Sequence, residues 1–85
     1  MNLSFTPNGW DDYLWVQANE PRLLKKLHRL LNECTRTPFE GSGKPEPLRH
    51  ELAGFWSRRL TDEHRLVYAV DDDAITVIAC RSHYE

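Results

Sequence analysis

Cysteine is scarce in this chain. Cys34 and Cys80 are the only two in 85 residues, and they lie far apart. Neither has a neighbour at the C-x-x-C spacing of a zinc site, so no metal is expected. Long apolar runs are missing too. No stretch approaches the roughly 18 residues a membrane span needs. The N-terminus lacks the basic start and apolar run of a secretory signal. These absences point to a cytoplasmic protein with free thiols and no membrane contact. A strong excess of positive charge is also lacking: the formal net charge is −2. That argues against a protein that coats nucleic acid by bulk charge, although not against a local basic site. Finally, there is no G-x-x-x-x-G-K phosphate loop, no H-E-x-x-H helix and no G-x-S-x-G elbow.

What is present is an ordinary globular composition, 40% hydrophobic and 28% charged, with three Trp, three Tyr and three Phe. The length predicts one domain over residues 1–85. A chain this short buries only somewhat more than ~60% of its unfolded surface, so oligomerisation or a partner is expected to add stability. "NLSFT" predicts a first strand over residues 2–6. A helix follows over 8–19, with Trp10, Tyr13, Leu14 and Gln17 on one face and Asp11 and Asp12 near its N-terminus. Pro21 suits the first turn of a second helix. There Leu23, Leu24, Leu27, Leu30, Leu31 and Cys34 form the clearest apolar stripe of the chain. Its other face carries Lys25, Lys26 and Arg29, which read as a solvated face or as a nucleic-acid contact.

A Pro- and Gly-rich loop spans residues 35–47, and the apolar period then changes to two. Strands are expected at 48–52, 55–60, 64–70 and 74–81, joined by short connections as an antiparallel meander. The fold class is α+β: an N-terminal strand, then two helices packed on a mostly antiparallel twisted sheet. Alternation puts Leu66, Tyr68 and Val70 on one face and Arg65 on the other. If the last strand runs to the end of the chain, Arg81 and His83 share a face, and the sheet can present them beside Arg65.

Within the loop, "GKPEPLRH" sets Glu46 between Pro45 and Pro47. Proline fixes its own φ and disfavours helical geometry in the residue before it, so this segment is expected to be stiff and extended. A carboxylate, guanidinium groups and an imidazole form a set suited to metal-free RNA cleavage. The ribose 2′-hydroxyl attacks the adjacent phosphate. Glu takes its proton, His protonates the leaving 5′ oxygen, and Arg clamps the charge that gathers on phosphorus. Plainer readings stand beside these. Glu46 can cap a turn or pair with Lys44. Composition alone favours Arg58, Arg59 and Arg65 as exposed strand residues or ion-pair partners of Asp62 and Glu63. His50 and His64 read as structural or solvated.

Taken together, "RTPFEGSGKPEPLRHELAGFWSRRLTDEHRLVYAV", "GWDDYLWVQ" and the ending "ACRSHY" closely resemble the YoeB toxins of the RelE/ParE superfamily. The resemblance spans nearly the whole chain. It implies a RelE-like, microbial RNase fold and a ribosome-dependent endoribonuclease that cuts mRNA in the A site. It also implies a YefM-like antitoxin, operator DNA bound by the toxin–antitoxin complex, a homodimer, and no cofactor. Glu46 matches the family's general base, His83 its general acid and Arg65 its phosphate-stabilising arginine. Tyr84 matches an aromatic that shapes the site. Arg49 stands where relatives carry Lys, and Arg59 fits a further RNA-facing cation. ParE-like relatives, which bind gyrase and cleave no RNA, are the alternative.

Overall fold

Thr6 ends the first strand and starts the first helix. Its hydroxyl accepts the Gly9 amide at 3.0 Å and donates to the Val77 carbonyl at 3.2 Å. Pro7 follows at the first helical position, where its missing N–H is no loss. The computed structural model describes residues 1–81. Strand β1 (Asn2–Phe5) leads into helix α1 (Pro7–Asn19), a 3-10 turn (Pro21–Leu23) and helix α2 (Leu24–Cys34). Strands β2 (Glu46–Pro47), β3 (Phe55–Arg59), β4 (Arg65–Val70) and β5 (Ala74–Ala79) complete one sheet in the order β1-β5-β4-β3-β2. β1 runs parallel to β5, and the other pairings are antiparallel, as the meander requires.

The core lies between the helices and one sheet face. The α2 stripe enters it as expected: Leu27, Leu30, Leu31 and Cys34 are buried against Leu66, Tyr68, Ile75 and Val77. Both cysteines are free and buried. Burial, with Asp12 nearby, pushes the Cys80 thiol up to about 12. His64 is buried too, its ring nitrogen 2.8 Å from Glu20 Oε2, which makes it a structural residue.

Helix α1 does not pack on the face its aromatics suggest. Gly9 and Val16 are its buried residues, whereas Trp10 and Leu14 remain 47% and 40% exposed. The cause is a close approach to β5: a Cβ on Gly9 would lie 2.2 Å from the Val77 oxygen. With that contact fixed, the helix turns Gly9, Asp12 and Val16 toward the sheet. Trp10, Tyr13 and Phe5 instead pack against one another at its border, Trp10 and Tyr13 stacked with centroids 5.4 Å apart. Asp12 likewise serves the sheet, accepting the Cys80 amide at 3.2 Å. An alanine inside a helix normally stabilises by up to ~1 kcal/mol over glycine. Gly9→Ala is expected to do the reverse and lower Tm by roughly 10 °C, since overpacking costs about 1–3 kcal/mol. A thermal melt with unchanged or raised Tm would rule out so close a packing.

Two strand expectations and one loop expectation are corrected. The expected strand at 48–52 is absent; pairing with β3 falls on Glu46 and Pro47, and His50–Leu52 is a 3-10 turn. His50 has φ 58, a left-handed geometry that no strand continues through. Lys44, ahead of Pro45, is also left-handed at φ 51 instead of extended. Third, β5 ends at Ala79 and carries an irregularity: Tyr68 pairs with Val77 but Val67 with Ala79, which leaves Ile78 as an extra residue. The extra residue reverses the alternation, so Cys80 joins the core. The Arg81 guanidinium stacks 3.9 Å over the Trp15 ring of α1 and so is not brought to the face of Arg65.

Candidate active site

Alternation along β3 divides its polar residues between two faces. Arg58 points into the core, while Ser57 and Arg59 face away from the helices. Register then assembles the outer face. Glu46 of β2 lies opposite Ser57, and Arg59 lies opposite Arg65 of β4. The Arg65 side chain crosses toward β2. Its Nη2 donates to Glu46 Oε1 at 2.6 Å and to Ser57 Oγ at 2.9 Å, and its Nε donates to the same hydroxyl at 3.2 Å. The guanidinium is sunk, with 16% of its side chain exposed, whereas Glu46 is 58% exposed. A fixed cation thus lies beside an open carboxylate. This suits chemistry in which the carboxylate meets a solvent-borne proton and the guanidinium meets an anion.

Of the residues expected from sequence, Glu46 and Arg65 are in direct contact, and Arg59 is exposed beside them. Arg49 is exposed ahead of the His50–Leu52 turn, and no hydrogen bond ties it to the pair among the described residues. His83 and Tyr84 lie outside the described residues. Ser57 was missed; period-two alternation in "FWSRR" is the signal that puts it on the Arg59 face. Among the described residues, no group of three His, Cys, Asp or Glu side chains converges as a metal site would.

Arg58 is the larger surprise. Composition favours an exposed residue, yet it is fully buried. It donates five hydrogen bonds: to Tyr68 Oη, to Glu33 Oε1, and to the carbonyls of Thr37, Glu40 and Ser42. Four of these five acceptors lie in or beside the loop that leads to Glu46. Glu33 Oε1 also accepts the Ser42 amide at 2.9 Å, and Tyr68 donates to the Pro38 carbonyl at 2.6 Å. Burial pushes the Tyr68 hydroxyl up to about 12. The Ser42 hydrogen bonds, helped by the Arg58 charge, hold the Glu33 carboxyl below its ordinary 4.5.

That last shift has a sign that can be measured. A lowered folded pKa contributes stability that is fully present above pH 4.5 and fades as pH falls through the folded value. Wild type is therefore expected to lose stability more steeply than Glu33→Gln below pH 4.5. Parallel urea midpoints against pH would remove Glu33 from the acid response.

Comparison with known proteins agrees with this architecture. A family model described as the YoeB-like toxin of bacterial type II toxin–antitoxin systems matches residues 5–84. Toxin YoeB of Escherichia coli (strain K12) is 57% identical over 84 residues, covering 99% of this chain and 100% of that toxin. The YoeB/ParE toxin from Agrobacterium tumefaciens is 48% identical with a TM-score of 0.94, covering 99% of this chain and 100% of that one. A chain of the YoeB–YefM complex from Staphylococcus aureus is 44% identical with a TM-score of 0.88, covering 99% of this chain and 98% of that one. These likenesses define a class, the toxins of bacterial type II toxin–antitoxin systems. Within it, the chain belongs to the YoeB family. Its two helices on a five-stranded mixed sheet are the α+β fold of that family's solved structures.

Proposed function

We propose that this toxin is a ribosome-dependent endoribonuclease that cuts mRNA in the A site and so stops translation. The observation that carries the reading is the contact of Glu46 with Arg65 at 2.6 Å on the sheet face away from the helices. Glu46 takes the proton of a ribose 2′-hydroxyl, whose oxygen then attacks the adjacent phosphorus. Arg65, braced by Ser57, donates to the phosphoryl oxygens as negative charge gathers on them. His83 returns a proton to the departing 5′ oxygen. The products are a 2′,3′-cyclic phosphate and a free 5′-hydroxyl. Arg49 and Arg59 bind the RNA backbone, and Tyr84 shapes the site.

The same reading supplies the partners. The Staphylococcus aureus relatives were solved as a YoeB dimer and with YefM. By that likeness, this toxin forms a homodimer and is held by a YefM-like antitoxin; the family resemblance of the sequence adds operator DNA bound by the two together. Its place of action is the cytoplasm, where ribosomes are; no helix among the described residues is long and apolar enough to cross a membrane.

The test is cleavage of a programmed mRNA on purified ribosomes, with the cut site mapped, for wild type beside His83→Ala. Wild-type cutting within the A-site codon, lost in the variant, is expected. Folded, antitoxin-free protein that makes no ribosome-dependent cut would overturn the reading in favour of a gyrase-binding toxin.

A further inference from the structure

We propose that the buried Arg58 is a positioning residue for Glu46: it clamps the loop ahead of β2 and thereby fixes the register that turns the carboxylate toward Arg65. The inference rests on Glu46 as the base. It begins from how little β2 can hold by itself. The strand has two residues, Glu46 and Pro47, and lies at the edge of the sheet. Pro47 has no amide to donate. A slip of one residue against β3 would point Glu46 at the core face, because side chains alternate along a strand.

The register must therefore be set from outside the strand. Downstream, the Leu48 amide donates to the Phe55 carbonyl at 2.9 Å. Upstream, the loop is tied to β3 by consecutive residues. Arg58 holds the carbonyls of Thr37, Glu40 and Ser42, and the Arg59 amide donates to the Gly43 carbonyl at 2.6 Å. The fit is close. Gly43 has φ 81, and a Cβ there would lie 3.1 Å from Arg58 Cβ. Gly41 has φ 118, and a Cβ there would lie 2.5 Å from Glu33 Oε1. Glu33 is a second clasp, gripping the Ser42 amide and the Arg58 guanidinium with one oxygen. Planar geometry matters here. Arg58 directs Nε, Nη1 and Nη2 to separate acceptors, which an ammonium cannot reproduce.

Arg58 thus acts through Glu46 without touching substrate. Arg58→Lys is expected to lower single-turnover kcat on programmed ribosomes by about tenfold while KM stays within about twofold, as for a displaced catalytic group. Glu33→Ala opens the clasp from its solvent side, leaves Arg58 in place, and is expected to lower kcat by roughly threefold. It carries the test if Arg58→Lys does not fold. Ile75→Val, a core substitution remote from the loop, controls for lost stability. The decisive measurement repeats the clamp substitutions in a Glu46→Ala background, where they should lower the residual rate no further. Additive losses, an unchanged kcat in the clamp variants, or an equal loss in Ile75→Val would overturn the proposal. If Glu46→Ala alone cleaves like wild type, the assignment of the base has failed and the clamp's role falls with it. A defective Glu46→Ala beside neutral clamp variants rejects the clamp alone.

Discussion

Glu46→Gln is expected to lower kcat on programmed ribosomes by about 10²–10⁴-fold, the range typical of a lost general base. The substitution keeps the side chain's shape and leaves an amide oxygen that can still accept from Arg65. The capacity to take a proton is removed, together with the carboxylate's charge. Glu46 is 58% exposed and reaches solvent from an edge strand, so folding stability should change by no more than about 0.5 kcal/mol. KM is expected to hold or fall, because the variant removes a negative charge beside the phosphate path. Single-turnover cleavage with a parallel thermal melt separates these quantities. Activity within a few-fold of wild type at unchanged Tm would exclude Glu46 as the base.

Arg65→Ala is expected to lower kcat by about 10²–10³-fold, as loss of a preorganised oxyanion donor does elsewhere. Here the donor is preorganised in a specific way. Ser57 Oγ accepts from both Nε and Nη2, so the guanidinium plane is set before any ligand arrives. Lysine can restore the charge but not that bidentate hold, and Arg65→Lys should recover only about tenfold of the loss. Ser57→Ala would free the same plane while keeping the guanidinium. The ordering Arg65→Lys above Arg65→Ala, with Ser57→Ala milder than either, is the expected outcome in kcat. Equal activity of the Lys variant and wild type would reduce Arg65 to a general attraction for phosphate.

How much of this was legible beforehand differs by element. The α2 stripe from Leu23 to Cys34 was readable, since a periodic apolar face needs no knowledge of its neighbours. The alternation that separates Tyr68 from Arg65 was readable for the same reason. The face of α1 was not. It is decided by Gly9 against a carbonyl some seventy residues away, and aromatic content outweighs a single glycine in any local reading. The position of β2 was hidden because its two residues are held by the Arg58 clamp and not by their own pattern. Arg81 left the expected face because β5 ends at Ala79 and the guanidinium turns to Trp15, and no local residue signals that early end. For the site, Glu46 and Arg65 were nameable from family resemblance. Their contact, and the Ser57 that braces it, depend on register between strands.

The parallel pairing of β1 with β5 sets a schedule for the chain's birth. Asn2 leaves the ribosome well before Ala74, its partner across the sheet, has been made. Nothing made in between can complete that edge, and such long-range pairing is slow to close. β1 and the Gly9 side of α1 must wait for β5 to emerge. The nascent toxin therefore cannot close this edge of its sheet until β5 has been made.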